Sequence, residues 1–211
     1  MLEAGVADIT FERGRFSIAG TDRSITVMEI AKRLREGVKL PEGAPDTLDV
    51  EHVSSAKPAT FPNGCHVCEV EIDPETGVAE VVKYSMVGDF GTVVNPLIVK
   101  GQVYGGVVQG IGQCLVERTV YTEDGQLASG SFMDYAMPRA AHAPMFAYDA
   151  LGTKATTTPL GVKGCGEAGC AGSLTSIMNA VVDALAPLGV KHIDMPATPL
   201  RVWEAIEAAK I

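Results

Sequence analysis

The stretch HVCEVEIDPETGVAEVVKYSMVGD, residues 66–89, decides how much of the chain folds. Apolar and polar side chains alternate on both sides of DPETG at 73–77, as in two half-buried strands. The Asp, Pro and Gly between them favour chain reversal. A long antiparallel hairpin is therefore expected here. The same alternation bears on CHVC at 65–68. If the first strand already includes Cys65, sulfurs at i and i+3 point to opposite faces, which defeats chelation and pairing. No second CxxC or clustered His pair supplies further zinc ligands. The pair reads as two small, half-buried residues rather than a redox or zinc motif.

After the hairpin, NPLIVKGQVYGGVVQGIGQCLVE at 95–117 has helical length and apolar spacing, with Asn95 as N-cap before Pro96. It carries glycines at 101, 105, 106, 110 and 112. Each costs up to about 1 kcal/mol relative to Ala in a helix interior, so another backbone or a ligand must approach this helix closely. Before the hairpin, DITFERGRFSI at 8–18 alternates around a Gly turn, and Thr26 and Glu29 have capping-box spacing ahead of a helical pattern. That opening unit is expected to be β-β-α. A Pro- and Gly-rich loop at 41–46 and a strand over LDVEHVS at 48–54 follow. Downstream, the patterns predict a hairpin around TEDGQ at 122–126, an irregular stretch at 131–146 and a short strand near FAYDAL at 146–151. Helices are expected within 172–189 and from Thr198 and Pro199 onward. The fold class is α+β: mixed sheets of β-hairpins packed against a long Gly-rich helix and two C-terminal helices. The division expected is an N-terminal appendage at 1–46 and a main segment at 47–211, with one continuous domain as the alternative.

A chain of 211 residues with 46% hydrophobic side chains can bury an ordinary core. Its net charge of −9 leaves no basic stripe for phosphates, which argues against nucleic acid as a partner. The start MLEAGVADIT lacks a basic, then apolar, leader pattern, and no uninterrupted apolar run of about 18 residues appears. A cytoplasmic protein that does not enter membranes is expected. The five cysteines are an odd set and are expected as free thiols.

The stretch GVKGCGEAGC at 161–170 sets one carboxylate, Glu167, among four glycines just ahead of a helix. Exposed amides at a helix N-terminus attract anions. The P-loop spacing is missing, however, and Lys163 precedes the key glycines instead of following them. Three readings stay open: Glu167 complements the helix dipole, the loop is simply flexible, or the carboxylate is left open to a ligand as a general base.

The order of EVEIDPETGVAEVVKYSMVGDFGTVVNPLIVKGQVYGGVVQGIGQCLVE (69–117), DYAMP (134–138), GVKGCGEAG (161–169) and NAVVDAL (179–185) resembles the C-terminal part of the molybdenum-binding large subunit of the xanthine dehydrogenase and aldehyde oxidase family. The resemblance extends over nearly the whole chain and implies a molybdenum cofactor-binding domain. It implies molybdopterin, in bacteria commonly the cytosine dinucleotide form, with FAD and 2Fe-2S clusters on partner subunits. By this resemblance Glu167 is the general base that takes the proton from a molybdenum-bound hydroxyl. Gln102 approaches the pterin, and Gly164, Cys165 and Gly166 lie beside the cofactor. Gln109 matches another recurrent position, although a buried amide bonding helix backbone explains it equally well. Gly164, Gly166 and Gly169 would give a bulky cofactor clearance. Cys165 and Cys170 are read as small packing residues and Lys163 as an anion partner or a solvated surface charge. No residue of this chain is expected to ligate the metal.

A complete subunit of that family is several times longer, so the expected partners are the remaining N-terminal part of the molybdenum subunit, a flavin subunit, an iron-sulfur subunit and a small-molecule substrate. Exposed apolar surface where the missing part would dock makes a homo-oligomer another expectation. The activity implied is oxidative hydroxylation of an aldehyde, N-heterocycle or similar molecule, absent from this chain on its own. The alternative is a non-catalytic cofactor-binding or assembly module.

Overall fold

A computed structural model describes residues 1–55 and 58–210, and the chain divides into two units, Met1–Ser55 and Ala56–Ile211. In the first, β1 (Ile9–Glu12) and β2 (Arg15–Ile18) pair antiparallel around a two-residue turn. Both turn residues, Arg13 and Gly14, have positive φ, 49° and 77°, which matches the right-handed twist of the flanking strands. A third strand, β3 (Ser24–Thr26), adds to β2 and extends the expected β-β-α unit to β-β-β-α. Thr26 then caps α1 (Val27–Arg35): its Oγ1 accepts from the Glu29 amide at 3.1 Å, and Glu29 Oε2 accepts from the Thr26 amide at 2.8 Å. Residues 46–49 line a shallow cleft with Ala31, Leu34 and Arg35 of α1, so this unit continues past the 41–46 loop. The strand expected at 48–54 does not form. Its alternation meets no partner strand, and Leu48, Val50 and Val53 stay exposed.

The second unit is organised by β4 (Asn63–Ile72) and β5 (Ala79–Asp89), the expected antiparallel hairpin, with a register slip between Glu69 and Val70. The Asp73 carboxylate shapes the turn by accepting from the Glu75 amide at 2.9 Å and the Thr76 hydroxyl at 2.7 Å. Cys65 is exposed while Cys68 packs against the core, as the alternation requires; burial pushes the Cys68 thiol up to about 12. The third strand, β6 (Met145–Ala150), pairs with β5 in parallel, so this sheet is not built from hairpins alone. A parallel pair needs a long crossover, and α2 (Pro96–Ile111) lies within it. Asn95 caps α2, its Oδ1 accepting from the Ile98 amide, and a π-helical turn, Gly112–Val116, ends it. TEDGQ makes only a single bridge, Tyr121 to Leu127.

Two further helices, α3 (Ala168–Leu185) and α4 (Pro199–Ala208), complete the unit. Tyr84, Val107, Ile111, Ile177, Val181 and Val202 are fully buried in its core. By length and composition Ala168–Leu188 could cross a membrane. Its buried stripe, Gly169, Ser173, Ile177, Val181 and Leu185, instead faces the protein core. The α2–α3 crossing accounts for part of the glycine content. A Cβ on Gly106 would sit 2.8 Å from the Cys170 amide nitrogen and 3.0 Å from Gly169 Cα, and one on Gly110 would collide with Ser173. Gly101 and Gly105, by contrast, have no neighbour within 4 Å of a Cβ.

Candidate active site

Glu167 occupies the N-cap position of α3, where a side chain ordinarily accepts from the first amides of the helix. It makes no such bond. Among the described residues its carboxylate has no hydrogen-bond or ion-pair partner, and the residue is exposed. It borders a cleft of about 400 Å³ whose other walls come from Asn63, Gly64 and His66 on β4, Met86 on β5, and Ala171 and Gly172 on α3. Glu167 thus does not act as a side-chain cap, although its charge still lies at the positive end of the helix dipole, and its carboxylate is exposed at the cleft.

The cleft floor holds a polar pair that sequence patterns did not single out. His66 Nδ1 and the hydroxyl of fully buried Tyr84 are hydrogen-bonded at 2.7 Å, with the rings edge to face. Burial pulls the imidazole below its ordinary pKa and pushes the phenol above its own, so both favour the neutral form. Gly172 lets α3 pass over this ring, since a Cβ there would lie 2.6 Å from His66 Nε2. The strand parity that turns Cys68 inward also turns His66 inward, which is the signal that could have found it.

The expected cofactor-facing residues separate into two groups. Gln102 and Gly166 come together: a Cβ on Gly166 would lie 3.9 Å from Gln102 Nε2, and that amide is exposed. Gly164 has nothing within 4 Å of a Cβ, so this chain's own packing does not demand glycine there. Cys165 is half-buried, packs against the core and borders a second cleft with Lys163, Thr92 and Ile98. Gln109 is exposed and lies seven residues beyond Gln102 on α2, roughly 10 Å along the axis, outside both clefts. It is not a buried amide. Gly169 provides no clearance for a ligand, because a Cβ there would strike Val103 O and lie 3.0 Å from the Val107 amide of α2.

Lys163 is neither solvated nor free for an anion. Its Nζ donates to Asp89 Oδ2 at 2.7 Å, and the two side chains are only 11% and 14% exposed. Asp89 Oδ1 also accepts from the Gly91 and Thr153 amides at 2.9 and 3.0 Å. Lys163 hydrogen-bonding, then the Gly91 amide, holds the Asp89 carboxyl well below the usual carboxylate range. Among the described residues no three His, Cys, Asp or Glu side chains cluster as a metal site.

Comparison with known proteins gives this geometry a family. A model described as a molybdopterin cofactor-binding domain matches residues 1–144. The large subunit of nicotine 6-hydroxylase from Paenarthrobacter nicotinovorans is 38% identical over 97% of this chain and 25% of its own length. The carbon monoxide dehydrogenase large chain of Hydrogenophaga pseudoflava is 34% identical over 98% of this chain and 26% of its own. Among solved structures, quinoline 2-oxidoreductase from Pseudomonas putida 86 superposes on 99% of this chain and 27% of its own, with a TM-score of 0.86 and 34% identity. The carbon monoxide-reduced Cu,Mo-CO dehydrogenase does so at 0.83 and 31% identity, over 26% of its chain. The chain spans about a quarter of the length of these relatives.

Proposed function

Because the chain belongs to the molybdopterin cofactor-binding domain family, we propose that it forms one wall of the active site of a molybdenum hydroxylase, with Glu167 as the general base. The observation that carries the reading is the unpartnered Glu167 carboxylate, held at the start of α3 yet unused as a cap. The residues beside it suit a bulky cofactor: Gly164 leaves open space, and the exposed Gln102 amide lies against Gly166. Gln102 and the amides around Gly164, Cys165 and Gly166 would hold it by hydrogen bonds; Gln109 is proposed as a contact at its far side.

When bound, molybdopterin with its metal supplies the two-electron redox chemistry and the Lewis acid. This chain's own contribution is proton transfer and placement. Glu167 takes a proton from the attacking oxygen at a carboxylate oxygen, within reach of the cleft. Neutral His66, anchored by Tyr84, keeps the floor uncharged, so it introduces no fixed counter-charge beside the base. The substrate class proposed is a small molecule with an electron-poor carbon, an aldehyde or N-heterocycle. The cofactor is proposed in its cytosine dinucleotide form, with flavin and iron-sulfur subunits carrying electrons away.

The test is co-expression of this chain with the remaining part of the large subunit and the two electron-transfer subunits, comparing wild type with Glu167→Gln. Molybdenum and cytidine content and substrate-dependent dye reduction are measured. Molybdenum retained with turnover reduced at least about a hundredfold supports the base. Full turnover in the variant overturns it, and no molybdenum in any assembly leaves a non-catalytic module.

A further inference from the structure

The Glu167 loop is fixed by its ends. On the C-terminal side α3 is seated on α2 at the Gly106–Gly169 contact. On the N-terminal side the backbone is tied to the end of β5: the Lys163 amide donates to Phe90 O at 2.9 Å, and the Thr92 amide donates to Gly161 O at 3.0 Å. Between Lys163 and Glu167 lie Gly164, Cys165 and Gly166, two of them glycines that offer no side-chain packing.

Asp89, the last residue of β5, joins the loop to a strand that borders the cleft. Its Oδ2 receives Lys163 Nζ from the loop, and Asn63 Nδ2, from a residue that borders the cleft, lies 3.5 Å from the same oxygen. Its Oδ1 binds the amides of Gly91 and Thr153, on two further segments. One largely buried carboxylate thus gathers β4, the chain after β5, the segment at 153 and the base-bearing loop. A hydrogen-bonded charge pair this enclosed is sensitive to the loss of either partner, because the remaining charge is left buried.

Resting on the reading of Glu167 as base, we propose that Asp89, through Lys163, is a positioning residue that sets where the Glu167 carboxylate stands in the cleft. It does not touch substrate or cofactor. Its effect is transmitted along the four peptide units of backbone from Lys163 to Glu167, where Cys165 packs against the core and Gly164 and Gly166 add no side-chain contact.

Hydrogen–deuterium exchange on this chain tests the tether without cofactor. Asp89→Asn keeps an oxygen for the Gly91 and Thr153 amides but sets an amide donor against Lys163, so the 161–167 segment should exchange about tenfold faster while the helix centres of α2 and α3 are unchanged. Asp89→Ala should also loosen 91 and 153. Lys163→Met should reproduce the Asp89→Asn pattern, and Lys163→Arg, which retains the charge pair, should restore protection. Unchanged exchange at 161–167, or equal loosening by Arg and Met at position 163, overturns the proposal. In the assembled enzyme, Asp89→Asn with molybdenum retained should lower kcat and leave KM unchanged; a change in KM alone also overturns it. If Glu167→Gln keeps full turnover while Asp89→Asn loosens the loop, the base reading falls and the tether stands. If Glu167→Gln abolishes turnover and Asp89→Asn alters neither exchange nor kcat, the tether falls alone.

Discussion

Asp89 and Glu167 are carboxylates put to opposite uses. Asp89 is saturated by Lys163, Gly91 and Thr153, whereas Glu167 has no partner among the described residues. Because the folded Asp89 pKa is depressed, the stability it contributes is complete above the unfolded value of about 4 and is lost as pH falls toward the folded value. The urea midpoint of wild type should therefore exceed that of Asp89→Asn at neutral pH, with the gap closing below about pH 4. His66 adds a second acid sensitivity. Its folded pKa is lowered by burial, so the unfolded chain takes up the proton first, and stability should begin to fall below about pH 6.5. In His66→Gln that earlier decline should flatten, as read from urea midpoints between pH 7 and 5. The setting of Glu167 was legible in the sequence, since glycines surround it and a helix follows. Asp89 was not: MVGD reads as an ordinary strand end, and its decisive partner lies 74 positions away.

At the scale of elements, glycine has two different roles on the packed pair α2 and α3. Gly169→Ala would press a methyl group into the backbone of α2 and should destabilise by about 1–3 kcal/mol. Gly105→Ala meets nothing and should stabilise the isolated chain by up to about 1 kcal/mol through helix propensity. Paired urea melts of the two variants check both signs. The sequence signals that succeeded here are local: the DPETG turn, the Asn95 cap and the Thr26–Glu29 box each depend on residues a few positions apart. Those that failed depend on partners far along the chain. LDVEHVS alternates but finds no strand beside it, while FAYDAL finds one in an orientation its own residues cannot specify.

At the scale of the molecule, apolar burial is unevenly shared. In the unit Met1–Ser55 Ile25 is the buried hydrophobic residue, whereas the contiguous core lies in Ala56–Ile211. A segment this small with so little core is marginal by itself. Residues 1–55 expressed alone should show no cooperative thermal transition by circular dichroism, and residues 56–211 should show one. The chain spans about a quarter of the relatives' length, so its sequence holds only the part of a candidate site that it carries itself: the Glu167 carboxylate, the loop before it and the cleft that carboxylate borders.

The parallel pairing of β6 with β5 also imposes an order in time. The β4–β5 hairpin closes over a short turn and can form within microseconds. Lys83 meets Met145 only after the intervening 61 residues, α2 among them, have been folded back. Closing so long a loop must precede any gain from the contacts it creates. In pulse-labelled refolding the amides of β4 should become protected before those of β6, so the strands that line the cleft pair before their sheet is complete.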